Sequence, residues 1–273
     1  MDYKLIAIDM DGTLLNSKNE ISENNMKAIR EATEKGIHIV LSTGRILSSA
    51  VFYADSMNLS SYILASNGAV ISDGEKNIIY RVPINKGSVK EVMRLGRKHN
   101  VYYHFYDETK FYTNNYIDEI YEFYNPRFQK QAGQKIGLIV FKDDEEILER
   151  EDINAYKFLF LDDDREKLNG LKQELLNTKG INVSTSWFNN VEVMSDQVSK
   201  GLSLKYLCNM LNINRENTIA IGDNENDLSM IEFAGLGVAM GNGEDIVKKN
   251  ADIITDTNDN DGVSKIIEQY VLK

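Results

Sequence analysis

The first third of the chain alternates short apolar runs with a segment whose apolar residues have helical spacing. "YKLIAIDM" and "IHIVLSTGR" are apolar runs that end in polar residues. Between them, "ISENNMKAIREATEKG" places Met26, Ile29 and Ala32 on one helix face, with Ser22 as a helix N-cap and Gly36 as a C-cap. Such alternation is typical of βαβ units, whose strands form a parallel sheet.

The alternation is interrupted in the middle of the chain. There the sequence becomes rich in Tyr and Phe, and the runs "VYYHFYD", "KFYTN", "KIGLIVF", "AYKFLFL" and "INVSTS" predict strands mixed with helices. Strand and helix patterns alternate again beyond this block. We therefore predict an α/β fold whose Rossmann-like parallel-sheet core is discontinuous, residues 1–83 and 188–273, with an inserted α+β domain at residues 84–187.

The composition limits the compartment and the partners. Asp plus Glu total 42 against 31 Lys plus Arg, a net charge of −11, which argues against general binding to nucleic acid or anionic membranes. The single cysteine, Cys208, excludes an intrachain disulfide and fits a buried thiol in a reducing compartment. The sequence has no secretory pattern and no apolar run near the ~18 residues of a membrane span. We expect a soluble cytoplasmic protein, a monomer or weak homo-oligomer.

Polar residues follow several of the predicted strands. In open parallel sheets, ligands bind beyond the carboxyl ends of the strands, so these residues are expected to meet at one edge. The polar residues at strand ends or helix starts are Asp9, Asp11, Gly12, Thr13, Ser42, Thr43, Gly44, Arg45, Lys200, Gly201, Gly222, Asp223, Asn224, Asn226 and Asp227.

This set of residues suits chemistry on a phosphate. A carboxylate can attack phosphorus and form an aspartyl-phosphate. Because nucleophile and substrate are both negative, a cation is needed, and Mg²⁺ prefers oxygen ligands such as those of Asp9 and Asp223. A lysine supplies fixed positive charge for the transition state. Asp11, crowded by Asp9, is the carboxyl expected to hold the proton that a leaving alkoxide requires.

The motifs also carry a family resemblance. "DMDGTLL", "LSTGR", "SKG" and "GDNENDLSM", in this order and spacing, resemble the four motifs of the haloacid dehalogenase-like (HAD) hydrolases. "SNGAVI" and the position of the insertion resemble the Cof-type phosphatases, which have a large (C2-type) cap domain. The resemblance implies a Mg²⁺-dependent phosphatase that hydrolyses small phosphorylated metabolites, such as sugar phosphates or phosphorylated cofactors, through an aspartyl-phosphate.

The resemblance implies a role for each motif residue. Asp9 would be the nucleophile, Asp11 the general acid and base, and Lys200 the catalytic cation. The phosphate-binding residues that it implies are Met10, Thr43, Gly44, Lys200 and Asn226. The metal-binding residues that it implies are Asp9, Asp11, Asp223 and Asp227, the last acting through water or through Lys200.

Two other functions are compatible with the same residues. A phosphomutase could use the same aspartyl-phosphate, and a phosphorylation-switched binding module of the response-regulator kind also clusters Asp, Thr or Ser, and Lys on an α/β sheet. The size of the chain and the insertion argue against the binding module. Transfer of phosphate without its net release would favour the mutase.

The histidines and the aromatic run give no separate site. His38, inside an apolar run, is expected to be a core or sheet residue, because one histidine without partners makes no site. His99 and His104 are expected at surface positions of the inserted domain. The Tyr- and Phe-rich segment at residues 101–128 is expected mainly to pack one face of a sheet.

Overall fold

The computed structural model describes residues 2–124, 136–185 and 188–273. The chain divides into two compact units. The first unit comprises Met1–Gly44, Tyr53–Tyr80 and Ser199–Lys273, and the second comprises Arg45–Phe52 and Arg81–Val198. The domain boundaries drawn from the sequence, at residues 83 and 187, stay a prediction.

The strands and helices alternate along the chain. The strands are β1 (Leu5–Asp9), β2 (His38–Ser42), β3 (Tyr62–Ala65), β4 (Val70–Ser72), β5 (Ile78–Arg81), β6 (Tyr102–Tyr106), β7 (Lys110–Thr113), β8 (Gly137–Val140), β9 (Lys157–Leu161), β10 (Ile181–Ser184), β11 (Asn190–Ser195), β12 (Thr218–Gly222), β13 (Leu236–Ala239) and β14 (Ile253–Ile254). The helices are α1 (Glu23–Glu34), α2 (Leu47–Ser56), α3 (Lys86–Lys98), α4 (Asp118–Tyr124), α5 (Asp144–Leu148), α6 (Arg165–Leu176), α7 (Lys200–Leu211), α8 (Leu228–Phe233), α9 (Asp245–Asn250) and α10 (Gly262–Ile267). Among the described residues, no helix combines the length and the apolarity needed to cross a membrane.

The first unit is built on an eight-stranded sheet in the order β14-β13-β12-β1-β2-β3-β4-β5. The strands from β14 to β3 pair in parallel, and β4 pairs antiparallel with β3. Every residue of β1 is buried, as expected of a central strand covered on both faces. The predicted α/β fold with a parallel-sheet core is therefore confirmed.

Local sequence signals set the helix starts that matter for the site. The Ser22 hydroxyl accepts a hydrogen bond from the backbone N–H of Asn25 at 3.1 Å, which caps α1 as predicted. In the same way, the hydroxyl of Ser199 accepts from the backbone N–H of Leu202 and starts α7 one residue before Lys200. Further along α7, Cys208 lies in the apolar core, so its predicted burial is confirmed.

The second unit contains a six-stranded sheet in the order β10-β11-β9-β6-β7-β8. All pairs are antiparallel except β7 with β8. One face of this sheet packs an aromatic core formed by Tyr103, Phe105, Tyr112, Phe158 and Phe160. The prediction that the aromatic run packs a sheet face is confirmed for Tyr103, Phe105 and Tyr112, while residues 125–128 of the run lie outside the described part of the chain.

The prediction of a surface position for His104 is wrong. Its side chain is fully buried, stacks on Phe111 with ring centroids 4.2 Å apart, and shares a hydrogen bond with the Tyr106 hydroxyl at 2.8 Å. The reason is that this second face of the sheet is covered too, since Ile46 packs beside Tyr106 and Phe111. Burial holds the pKa of His104 well below its ordinary value, and the nearby charge of Lys157 lowers the pKa further.

The other two histidines belong to different units. His38 lies in β2 with an exposed side chain and is a sheet residue. His99 is partly buried, and its imidazole lies 2.9 Å from the Glu174 carboxylate.

Candidate active site

A lysine and two carboxylates meet at the carboxyl end of β1. The Nζ of Lys200 lies 2.5 Å from Oδ1 of Asp9 and 2.5 Å from Oδ1 of Asp227. Asp9 ends β1, Lys200 begins α7, and Asp227 lies in the loop after β12. The structure thus brings together residues that are up to 218 positions apart, 9 and 227, where the strand ends predict that they meet.

Burial and charge act against each other at Lys200. The side chain has no exposed surface, and burial alone lowers the pKa of an ammonium group. The carboxylates of Asp227 and Asp9 more than offset this effect and hold the pKa of Lys200 above its ordinary value. Lys200 is therefore a permanent cation at neutral pH.

Both carboxylate oxygens of Asp227 have hydrogen-bond partners. Oδ1 accepts from Lys200, and Oδ2 accepts from the backbone N–H groups of Asp223 at 2.9 Å and Asn224 at 3.1 Å. These bonds fix the lysine and shape the loop that carries Asp223. The arrangement fits an indirect contribution of Asp227 to a metal site.

Asp223 is held from two sides. Its Oδ1 accepts from the Thr13 hydroxyl at 2.8 Å, and its Oδ2 accepts from the Asn224 side-chain amide at 3.0 Å. Burial, and then repulsion from Asp227, raise the pKa of Asp223 to about 7. Burial and Asp227 also raise the pKa of Asp9 well above its ordinary value, despite the opposing effect of Lys200. These carboxylates together therefore hold more negative charge than the site can easily keep ionised.

Gly12 is required by its close approach to Asp223. Its φ is +80°, and a Cβ there would overlap the Asp223 carboxylate. The carbonyl of Gly12 accepts from the Asn242 side-chain amide at 2.8 Å, and this bond ties the turn to the loop after β13. The sequence predicts no site role for Asn242 and places Thr13 at the sheet edge without a partner, because a contact across 210 or more positions leaves no local signal.

Asp11 is placed differently from its neighbour. Its side chain is exposed, whereas Asp9 is buried. The sequence predicts crowding chiefly between Asp9 and Asp11, but the carboxylate with the largest effect on the pKa of Asp9 is that of Asp227, and Asp11 acts more weakly. The two carboxyls therefore differ in burial: Asp9 lies inside the charge cluster, and Asp11 lies at its exposed edge.

The residues predicted to bind phosphate lie on neighbouring loops. Met10 and Thr43 are buried, and Gly44 and Asn226 are partly exposed. Asn67 connects two of these loops, because its backbone N–H donates to the Thr43 carbonyl at 2.9 Å and its Oδ1 accepts from the Asn226 amide at 3.1 Å.

The acidic cluster fits a hard divalent cation. Carboxylate oxygens of Asp9, Asp223 and Asp227 all lie within 4.8 Å of one another. Oxygen-only donors are those that Mg²⁺ prefers. The three carboxylates carry more negative charge than Lys200 balances, so a divalent cation would relieve their repulsion.

The sequence matches the haloacid dehalogenase-like hydrolases over residues 6–267. It is 38% identical to the 5-amino-6-(5-phospho-D-ribitylamino)uracil phosphatase YcsE of Bacillus subtilis, over 100% of this chain and 97% of that protein. It is 31% identical to a phosphoglycolate phosphatase of Methanobrevibacter smithii, over 100% of both chains. The solved structure of a haloacid dehalogenase-like hydrolase from B. subtilis superposes with a TM-score of 0.89 at 33% identity, over 98% of this chain and 100% of that one.

These matches span both units. They confirm the family resemblance carried by the four motifs, and they confirm the expectation of an enzyme that hydrolyses phosphoric monoesters.

Proposed function

Because the chain belongs to the haloacid dehalogenase-like hydrolases and is a phosphatase, we propose that it hydrolyses small phosphorylated metabolites with Mg²⁺ through a phosphorylated Asp9. The observation that carries the proposal is the buried Asp9 carboxylate, fixed at 2.5 Å by Lys200 beside Asp223. A fixed carboxylate beside a permanent cation suits attack on an anionic phosphorus centre.

In the first step, an Asp9 oxygen forms a bond to phosphorus as the bond from phosphorus to the ester oxygen breaks. The leaving alkoxide takes a proton from the Asp11 carboxyl. Lys200 gives two of its three N–H donors to Asp9 and Asp227 among the described residues, and we assign the third to a phosphoryl oxygen. Met10, Thr43, Gly44 and Asn226 would orient the other phosphoryl oxygens.

In the second step, water attacks phosphorus, and the bond from phosphorus to Asp9 breaks. Asp11, now deprotonated, takes a proton from the water. Orthophosphate leaves, and Asp9 returns to its carboxylate form. The exposed position of Asp11 supports this role, because exposure gives its carboxyl access to water in both protonation states.

The residues that would hold Mg²⁺ are Asp9 and Asp223, with Asp11 at the exposed edge and Asp227 acting through Lys200. The ion would lower the charge repulsion between the attacking carboxylate and the phosphate. Thr13 and Asn224 support the proposed metal site, since both donate hydrogen bonds to Asp223 and so limit its movement.

The relatives narrow the substrate to small phosphate esters. The 38% identical YcsE is named for 5-amino-6-(5-phospho-D-ribitylamino)uracil, and the 31% identical M. smithii protein for phosphoglycolate. These substrates share a phosphate monoester and differ in the rest of the molecule. We take 5-amino-6-(5-phospho-D-ribitylamino)uracil as the leading candidate substrate, because the relative that is named for it has the higher identity of the two.

The test is phosphate release from a panel of phosphorylated metabolites that includes both compounds, with and without Mg²⁺. We expect turnover that requires the metal and falls by at least about 10³-fold in Asp9→Asn, because the nucleophile is lost. Asp55→Asn is the matched control, since it makes the same change at an exposed site on α2. Undiminished turnover in Asp9→Asn would contradict the mechanism, and transfer of phosphate without net release would favour a mutase.

A further inference from the structure

The turn between β3 and β4 has an unusual backbone. Ser66, Asn67 and Gly68 have successive φ values of +50°, +58° and +96°. The left-handed region is uncommon for residues with a side chain, although Asn tolerates it better than most. Ser66 and Asn67 are also buried. Strained backbone that persists in a buried turn is frequently retained for the contacts that it makes possible.

The contacts of Asn67 join two motifs that the proposed function places on the phosphate. Its backbone N–H donates to the Thr43 carbonyl at 2.9 Å, just after β2. Its side-chain Oδ1 accepts from Nδ2 of Asn226 at 3.1 Å, in the loop after β12. Asn67 therefore ties the second motif to the fourth, although it belongs to neither.

The same turn contacts the helix that carries Lys200. The carbonyl of Gly68 accepts from the Ser203 hydroxyl at 2.7 Å, in the first turn of α7. A Cβ on Gly68 would overlap that hydroxyl and lie 2.9 Å from the carbonyl of Ser199. Glycine is required here both for this approach and for the positive φ. The turn thus contacts Thr43, Asn226 and the helix that carries Lys200, and all three of these residues are assigned to the phosphate.

We propose that Asn67 is a positioning residue, whose side chain sets the orientation of the Asn226 amide toward the phosphoryl group. The inference rests on the proposed function, which assigns Asn226 to the phosphate. The terminal torsion of an asparagine is broad and has no strong preference of its own. A hydrogen bond from one N–H of the Asn226 amide to a fixed acceptor selects one orientation and thereby directs the other amide atoms.

The test distinguishes the contribution of the Asn67 side chain from that of the Asn67 backbone. Asn67→Gly keeps the left-handed conformation and the backbone N–H bond to Thr43 but removes the acceptor for Asn226. We expect kcat/KM to fall by about 10- to 100-fold, since small misplacements of groups around a reacting centre have effects of this size, with the melting temperature unchanged or higher. Asn212→Gly is the matched control, because Asn212 has a φ of +54° in the same unit and an exposed side chain. Its activity should equal that of the wild type.

A double-mutant cycle shows whether Asn67 acts through Asn226. We expect Asn67→Gly to have little further effect on kcat/KM in an Asn226→Ala background, because the group that it orients is already gone. Additive losses would overturn the inference, as would an unchanged kcat/KM in Asn67→Gly when Asn226→Ala is impaired.

A readout without substrate separates this inference from the proposed function. The side-chain amide resonances of Asn226, assigned by their loss in Asn226→Ala, should shift in Asn67→Gly. They should stay near their wild-type positions in Asn67→Asp, which keeps an acceptor oxygen and tolerates the left-handed region. Resonances that do not move in Asn67→Gly would overturn the inference. Absence of phosphate release by the wild type would overturn the proposed function, and the amide resonances would still decide the role of Asn67.

Discussion

Each unit of the molecule buries a lysine against one or more carboxylates, but the two arrangements differ in charge balance. In the second unit, the Nζ of Lys157 lies 2.7 Å from a Glu192 oxygen, and the side chains are 6% and 3% exposed. That pair sets one positive charge against one negative charge. In the first unit, Lys200 contacts Asp9 and Asp227, while Asp223 adds a third buried carboxylate.

A buried ion pair alone therefore does not mark a metal site. Taking charges out of water is unfavourable, and a paired charge offsets part of that energy. The cluster around Lys200 keeps excess negative charge, and burial, together with this excess, raises the pKa of Asp223 to about 7. Such a site gains from a divalent cation, whereas the Lys157–Glu192 pair gives no comparable reason to bind one.

Of the changes that compare the two buried lysines, the largest effect on activity is expected when the Lys200 cation is removed. Lys200→Met should lower kcat by about 10³-fold, because the proposed transition state loses its fixed positive charge. Steady-state phosphate release in saturating Mg²⁺ measures this. Lys205→Met is the matched control, since Lys205 lies on the same helix with its side chain exposed. Equal activities of the two variants would remove the distinction drawn here between the site and its surroundings.

Removing the lysine of the Lys157–Glu192 pair should chiefly lower the stability of the fold. Lys157→Met leaves the Glu192 charge buried without its lysine, and we expect the free energy of unfolding to fall by about 3–5 kcal/mol. In Lys157→Met/Glu192→Leu most of that loss should be recovered, because neither charge remains. Urea unfolding of the three proteins tests this. A double variant as unstable as the single one would show that more than a balanced ion pair is involved.

The smallest expected effect is the change of Mg²⁺ affinity with pH. Asp223 has a folded pKa of about 7 against an ordinary value of 3.8. Its ionisation therefore destabilises the metal-free protein progressively as pH rises from about 4 to about 7. Below pH 7 a metal must displace a proton, so Mg²⁺ affinity should fall by about tenfold between pH 8 and pH 6.

Melting temperatures with and without Mg²⁺ test this linkage. The rise produced by Mg²⁺ should be larger at pH 8 than at pH 6, and Asp223→Asn, which removes a proposed ligand, should show a smaller rise at both pH values. A rise that is greater at pH 6 in the wild-type protein would contradict the sign of the linkage.

The sequence predicts the site well where local pattern and sheet geometry suffice. Asp9 ends a strand, Asp223 follows one and Lys200 begins a helix, and parallel strands bring their carboxyl ends to one edge. The same logic predicts the parallel sheet itself, because the apolar runs around β1 and β2 alternate with a helical pattern. These inferences need only periodicity and topology.

Tertiary contacts decide what the sequence does not reveal. The bond from Thr13 to Asp223 and the strained backbone of Asn67 depend on loops distant in sequence. The predicted surface position of His104 is wrong, because the alternating pattern of a strand does not show whether its second face is also covered. The strong effect of Asp227 on the pKa of Asp9 is a tertiary effect too, whereas proximity in sequence points to Asp11.

In the proposed mechanism the buried carboxylate of Asp9, held by Lys200, becomes phosphorylated during turnover. Acid-quenching the enzyme during turnover, reducing any acyl phosphate with borohydride and locating the modified residue by mass spectrometry identifies the phosphorylated side chain. We predict conversion of Asp9 to homoserine in the wild type and no modification at that position in Asp9→Asn. Turnover without modification of Asp9, or with modification at Asp11 instead, would contradict the account.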